Sequence, residues 1–211
     1  KNKKLSLSKT VISNINKSRA FLEKKIRDEN KPFYGINTGF GDLHNVKIDN
    51  DNLEILQSNL LRSHACGTGE KVESNIVKLM MLLKIISLSK GFSGIKLETV
   101  ERLLFFYNNN IFPVVYKYGS LGASGDLSPL SHMSLPIIGE GEVEYKGKVI
   151  NSKKVLKKYS LKKISLGLKE GLALINGTQF MLSSLLYSLF DAYRISYLAD
   201  KISCISLEAF N

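Results

Sequence analysis

Apolar residues recur at helical spacing along most of the chain. Residues 7–30 carry an apolar stripe at about every third or fourth position, which predicts an amphipathic helix that ends before Pro32. A second helix is expected between Asp51, a suitable N-cap, and His64. Glu54 stands at the capping-box position of this helix. Both helices should pack one face on a core.

Later stretches also show helical periodicity. Residues 73–90 and residues 178–207 are apolar on nearly all sides, which predicts buried helices. Residues 96–109 keep their apolar positions on one face. Pro129 suits the first turn of a short helix that Asp126 or Ser128 would cap.

Strand signals are weaker. Residues 139–150 alternate between polar and apolar positions around a Lys146-Gly147 turn, which predicts a β-hairpin. The Lys-rich stretch 151–163 is expected to be a surface excursion. Together these patterns predict a mainly α protein, in which a helical bundle accompanies a small mixed N-terminal region and one short β-hairpin.

Composition narrows the classes of function. The 211 residues are 44% hydrophobic and 23% charged, as in ordinary globular proteins, and the net charge is +11. The lysines are scattered and no nucleic-acid motif accompanies them, so no nucleic-acid partner is expected. The charges along residues 178–207 predict that this helix does not span a membrane. The two cysteines, Cys66 and Cys204, lie far apart, which favours a reducing interior and two buried thiols.

The sequence GSLGASGDL, at residues 119–127, is the stretch most suggestive of chemistry. Its glycine spacing fits neither a P-loop nor a dinucleotide-binding fingerprint. It also lacks the GxSxG spacing of a serine hydrolase. The histidines show no metal-binding spacing, so no metal ion is expected; they are His44, His64 and His132.

The Ala-Ser-Gly triplet allows a reaction of the backbone itself. A tight loop could bring the Gly125 amide nitrogen against the carbonyl carbon of Ala123, because glycine tolerates unusual dihedral angles. Cyclisation with loss of water would form a five-membered ring. Loss of the Ser124 hydroxyl would then leave an exocyclic methylidene, an electrophile that no ordinary side chain provides. By itself the triplet is better explained as a glycine-rich turn.

The longer string GSLGASGDLSPLSHM resembles the signature of the aromatic amino acid ammonia-lyases. This family includes histidine, phenylalanine and tyrosine ammonia-lyases, and in it the triplet becomes 4-methylidene-imidazole-5-one (MIO). Three further motifs resemble the family in its own order: YGINTGFG at residues 34–41, SHACGTGE at 63–70 and EGLALINGTQFM at 170–181. The resemblance covers essentially the whole chain.

The resemblance implies a role for each matched residue. MIO would form from residues 123–125, and neither a metal ion nor a separate organic cofactor is expected. Tyr34 would act as the general base. Asn176 would donate a hydrogen bond to the MIO carbonyl oxygen. Gly41 and Asp126 would support the loops around the site.

The pair Ser63-His64 resembles the substrate-selecting segment of the histidine-specific members. A histidine here can hydrogen-bond a substrate imidazole, whereas a leucine would favour an apolar ring. The implied reaction is elimination of ammonia from L-histidine to give trans-urocanate in histidine degradation. The alternatives are a phenylalanine or tyrosine ammonia-lyase or aminomutase, or an inactive fragment that only folds or associates.

Members of the family are longer than this chain, so the site is expected to be incomplete. The family's sites combine several subunits of a homotetramer, which implies a cytoplasmic homotetramer for the full-length protein. Residues 1–92 are expected to form an N-terminal active-site region with the tyrosine loop and the selectivity helix. Residues 93–211 would carry the MIO triplet, the hairpin and the start of a central helical bundle.

Overall fold

The computed structural model describes residues 4–29, 31–39 and 53–210, and of Leu53 only the backbone. Helices dominate this part of the chain, which confirms the predicted mainly α class. The α-helices are α1 (Lys9–Asp28), α2 (Leu53–His64), α3 (Ser74–Ser89), α4 (Leu97–Asn108), α5 (Leu127–Ser134), α6 (Ser152–Lys158), α7 (Glu170–Ile175) and α8 (Gln179–Ala209). A 3₁₀ turn at Leu135–Ile138 follows α5. The capping residue Asp51 lies outside the described residues.

Short strands form two small antiparallel sheets. The strands are β1 (Thr68–Lys71), β2 (Ile111–Pro113), β3 (Tyr116–Tyr118), β4 (Glu142–Tyr145) and β5 (Lys148–Asn151). β1 pairs with β3, and a second sheet has the order β2-β4-β5. The hairpin β4–β5 confirms the predicted hairpin, and β1, β2 and β3 are additional short strands that the sequence pattern did not locate. β2 and β3 have three residues each, which is too few to show a recognisable alternation, and all four residues of β1 are exposed.

The hydrophobic core surrounds α3. Its buried apolar residues are Val77, Met80, Met81, Ile85 and Leu88, which confirms the buried helix predicted at residues 73–90. α3 contacts α1, α4 and α8, and its contact with α8 is the most extensive in the fold. α5 in turn contacts α2 and α7, which places the loop before α5 beside both of those helices.

Two expectations about exposure are wrong. The stretch 151–163 contains α6, whose Val155 and Leu156 are buried in the core. The many lysines on the other faces of α6 conceal this apolar pair in the sequence. Cys66 and Cys204 are exposed, not buried, because one follows the end of α2 and the other lies on the open part of α8.

A third expectation about exposure is also wrong, because α8, predicted at residues 178–207 as a buried helix, is largely exposed along its length. Ser183 is its one buried residue in the part of the chain that the structure describes. Many of its exposed side chains are large and apolar, including Leu185, Phe190 and Tyr193. By length and composition alone, residues 170–209 could cross a membrane, and 17% of the most apolar window is buried.

Candidate active site

The Ala-Ser-Gly triplet lies in the loop between β3 and α5. Gly119, Gly122 and Gly125 have φ angles of 134°, 75° and 129°, which are unfavourable for other residues. A Cβ atom on Gly125 would lie 2.9 Å from Asn176 Oδ1 and 2.9 Å from both the nitrogen and the oxygen of Gly177. Gly125 therefore has no room for a side chain, and the loop is pressed against the segment between α7 and α8.

Asp126 fixes this loop to the start of α8. Its carboxylate is fully buried and accepts hydrogen bonds from Ser120 Oγ at 3.0 Å and from the Met181 amide at 2.9 Å. Its own amide donates to the Gly177 carbonyl oxygen at 2.7 Å. Of the two predicted caps, Asp126 and not Ser128 is the N-cap residue of α5, but its side chain makes no capping hydrogen bond to that helix. The carboxylate instead binds the first turn of α8.

A cavity of about 190 Å³ opens beside the triplet. Residues 123–125 line it together with Ser63, His64 and Cys66. Ser128, from the first turn of α5, also contributes to the wall. The cavity therefore brings together two motifs that lie about 60 residues apart in the sequence.

His64 is the last residue of α2, and its ring orientation is fixed by that helix. Nδ1 lies 2.9 Å from the Leu60 carbonyl oxygen and 3.2 Å from Ser63 Oγ. A carbonyl oxygen only accepts, so in the neutral ring Nδ1 carries the hydrogen. The other nitrogen, Nε2, is then a hydrogen-bond acceptor, as recognition of an imidazole N–H group requires.

Asn176 ends α7 and faces the triplet. Its side-chain oxygen occupies the space where a Gly125 Cβ would lie. The backbone carbonyl oxygen of Asn176 accepts a hydrogen bond from Lys84 Nζ at 2.9 Å. Lys84 is 1% exposed, and burial lowers its pKa from 10.5 to about 7.

Tyr34 lies in a tight turn after α1, apart from these groups. The Phe33 amide donates to Asn37 Oδ1 at 2.6 Å, which closes the turn, and Gly35 supplies a φ of 71° within it. Tyr34 is 60% exposed, and it is not among the described residues that line the cavity. Gly41, the predicted supporting residue of this loop, lies outside the described residues.

Comparison with known proteins identifies the family of the chain. A family model described as "Aromatic amino acid lyase" matches residues 1–211, the whole chain. The chain belongs to the aromatic amino acid lyase family. Enzymes of this family depend on MIO, so the triplet stands in the context that its chemistry requires.

Individual lyases and their structural relatives agree with this assignment. The chain is 46% identical to "Histidine ammonia-lyase 2" of Fusobacterium nucleatum over 206 residues, which are 98% of this chain and 40% of that protein. The crystal structure of histidine ammonia-lyase from Trypanosoma cruzi has a TM-score of 0.78 and 38% identity, over 85% of this chain and 35% of that one. Pantoea agglomerans phenylalanine aminomutase has a TM-score of 0.83 and 34% identity, over 90% and 38%. The chain thus spans less than half the length of these relatives.

The residues around the triplet fit the formation of MIO. The Gly125 nitrogen must approach the Ala123 carbonyl carbon, and a side chain on Gly125 would block the packing of this loop on Gly177. Asp126, which follows the triplet directly, fixes its C-terminal end through three hydrogen bonds. In the part of the chain that the structure describes, no group of three or more metal-ligating side chains is found.

Sequence reasoning overlooked two residues of this site, Lys84 and His132. His132 Nε2 accepts a hydrogen bond from the Gly67 amide at 3.0 Å, and its ring packs edge-on against Tyr116. Gly67 follows the cavity-lining Cys66, so His132 holds the segment after His64 in place. The two atoms of this bond belong to residues 65 positions apart, which no local motif could reveal.

The bond between His132 and Gly67 predicts lower stability in mild acid. Burial lowers the pKa of His132 below its ordinary value of 6.5, so the unfolded chain binds this proton more tightly than the folded chain. This contribution to the free energy of unfolding is complete above about pH 6.5 and is lost as pH falls toward the folded-state pKa.

Denaturant unfolding at about pH 8 and about pH 5 measures the effect. The decline in unfolding free energy should be larger in the wild-type chain than in His132→Leu, which cannot take up the proton. Equal declines in the two proteins would show that His132 does not couple stability to pH.

Proposed function

We propose that this chain carries the electrophile and the substrate-selecting histidine of a histidine ammonia-lyase. The reaction is elimination of ammonia from L-histidine to give trans-urocanate. The observation that carries this proposal is the shared cavity, in which His64 faces residues 123–125. The name of the Fusobacterium nucleatum relative supports histidine as the substrate.

MIO forms in this proposal from the backbone of Ala123, Ser124 and Gly125. The Gly125 nitrogen bonds to the Ala123 carbonyl carbon, and one water leaves with that carbonyl oxygen and the two amide hydrogens of Ser124 and Gly125. A second water leaves with the Ser124 hydroxyl and its α-hydrogen. When formed, the ring supplies an electrophilic methylidene carbon, which activates the substrate for loss of its amino group.

The side chains around the triplet divide the remaining tasks. His64 Nε2 accepts the imidazole N–H group of the substrate, and Ser63 helps to hold the ring of His64. Asn176 donates to the carbonyl oxygen of Ser124 and stabilises negative charge there. Helices α5 and α8 both begin near Gly125, and their N-termini add positive electrostatic potential at the triplet.

Tyr34 removes the β-proton of the substrate as the general base. Because Tyr34 does not line the cavity in this chain, we propose that the tyrosine loop completes the site of another copy in a homotetramer. The exposed apolar side chains of α8 support such an assembly. Gly41 then supports the tyrosine loop, and Asp126 the MIO loop.

The two predicted regions of the chain hold different parts of the site. Residues 1–92 hold the tyrosine loop and the selectivity helix, and residues 93–211 hold the triplet and the start of the bundle. Charged side chains along α8, among them Asp191 and Arg194, favour packing against protein over lipid. We therefore propose a cytoplasmic enzyme of amino acid metabolism, without membrane or nucleic-acid partners.

Two other functions deserve a test. The similarity to Pantoea agglomerans phenylalanine aminomutase favours, as a second candidate, a lyase or aminomutase for phenylalanine or tyrosine. The open apolar surface of α8 favours an inactive chain that only folds or associates.

The decisive assay compares this chain with the same chain extended to the length of its relatives. Urocanate absorbance is followed with L-histidine, and cinnamate or coumarate absorbance with phenylalanine or tyrosine. We expect urocanate alone, from the extended chain. Cinnamate, coumarate or a β-amino acid would support the second candidate, and no product from either chain would contradict a lyase function.

Replacement of His64 by leucine should selectively reduce the use of histidine. The variant loses a hydrogen bond to the substrate imidazole, so kcat/KM for L-histidine should fall about 10- to 100-fold. The mass of the residue 123–125 segment should not change, because His64 takes no part in ring formation. Unchanged kinetics with histidine would show that His64 does not select the substrate.

A further inference from the structure

Lys84 is a charged side chain buried in the hydrophobic centre of the fold. It lies in the middle of α3 among Met80, Met81, Ile85 and Leu88, the apolar residues around which the core forms. Transfer of an ammonium group from water to such surroundings is costly, and the lowered pKa of Lys84 reflects this cost. Charges retained at such a cost often serve function.

The hydrogen bond of Lys84 leads directly to the MIO loop. Its ammonium group donates to the Asn176 carbonyl oxygen at 2.9 Å. On the other side of the same short segment, the Asn176 side chain and the Gly177 backbone press against Gly125. One buried cation therefore fixes the surface on which the triplet rests.

Asp126 and Lys84 bind different groups of the segment that contacts Gly125. The Asp126 amide binds the carbonyl oxygen of Gly177, and its carboxylate binds the first turn of α8. Lys84 binds the preceding carbonyl, that of Asn176, from within the core. Without Lys84, the link between Asp126 and Gly177 and the bond from the Asn176 amide to the Leu172 carbonyl oxygen would remain, but the Asn176 carbonyl oxygen would lose its bond to the core.

We propose that Lys84 is a positioning residue, which holds Asn176 and Gly177 against Gly125 so that the triplet can close into its ring. This role rests on the proposed function, because it presupposes that MIO forms at residues 123–125. Ring closure needs the Gly125 nitrogen within bonding reach of the Ala123 carbonyl carbon and releases one water molecule. Loss of the Ser124 hydroxyl releases the second, and neither step needs an oxidant. A fixed Asn176 also keeps its amide directed at the finished ring.

The test replaces Lys84 by methionine in the chain extended to the length of its relatives. Methionine keeps the apolar stem and removes the donor and the charge. Mass spectrometry of the peptide that contains residues 123–125 gives the fraction that has lost two waters. We expect a fraction about tenfold lower than in the wild type, and a lower kcat per matured molecule with little change in KM.

Two further variants make the comparison specific. Lys84→Arg retains a charged donor and should restore much of the ring formation, whereas Lys90→Met, at an exposed lysine just after α3, should match the wild type. If Lys84→Met gives too little folded protein, Lys84→Gln replaces it, because its shorter neutral side chain falls short of the Asn176 carbonyl. We expect Lys84→Gln to lower the matured fraction as much as Lys84→Met does.

The outcomes separate this role from the proposed function. Complete ring formation and unchanged kcat in Lys84→Met, or in Lys84→Gln as its replacement, would overturn the role of Lys84 alone. A wild-type protein that forms no ring and no urocanate would overturn the proposed function together with this role.

Discussion

Ser124→Ala is expected to abolish turnover of L-histidine in the chain extended to the length of its relatives, while the fold is kept. Alanine has no hydroxyl group to lose as water, so the methylidene carbon cannot form. Loss of the electrophile should lower kcat by at least about 10³-fold, a small part of what enzymes commonly supply. Ser124 is exposed in its loop, so the substitution leaves no cavity in the core.

A control substitution at another serine distinguishes the loss of MIO chemistry from a general effect of replacing serine by alanine. Ser87 is exposed on α3, and Ser87→Ala should keep full activity. Circular dichroism and denaturant unfolding should be the same for both variants and the wild type. Retention of normal turnover by Ser124→Ala would refute the MIO mechanism.

Gly125→Ala should both destabilise the fold and prevent ring formation. A methyl group at this position meets Asn176 Oδ1 and the backbone of Gly177 at 2.9 Å, and the φ of 129° is unfavourable for alanine. The free energy of unfolding should fall by about 2–4 kcal/mol, the sum of backbone strain and overpacking. Because the loop must move away from Gly177, the matured fraction should fall close to zero.

Gly147→Ala serves as the control for backbone strain. Gly147 also has a positive φ, of 73°, in the hairpin turn, but a Cβ atom there has no neighbour within 4 Å among the described residues. We expect a loss of about 1 kcal/mol and normal ring formation. Equal losses of stability in the two variants would show that the contact with Gly177 is unimportant.

Long helices could be predicted from the sequence because their periodicity extends over several turns. The boundaries predicted for α3, α4 and α8 agree with the structure to within about two residues. β2 and β3 have three residues each, which is too few for a period to appear. Their pairing with distant strands is determined by tertiary contacts, which a local pattern does not record.

Candidate site residues could be proposed from the sequence where they belong to contiguous motifs. The triplet and His64 could be located from short strings, and the structure places them in one cavity. Lys84 and His132 act across 92 and 65 positions of the sequence, so only the folded chain reveals their contacts. The exposure of α8 likewise depends on partners of the helix, which its own apolar pattern cannot identify.

The mass of the peptide that contains residues 123–125 tests the central claim most directly. It should be measured in protein extended to the length of its relatives that produces urocanate from L-histidine. We expect a peptide lighter than the encoded sequence by two water molecules, with the loss confined to Ala123, Ser124 and Gly125. The full encoded mass in such active protein would contradict an MIO electrophile formed from this triplet.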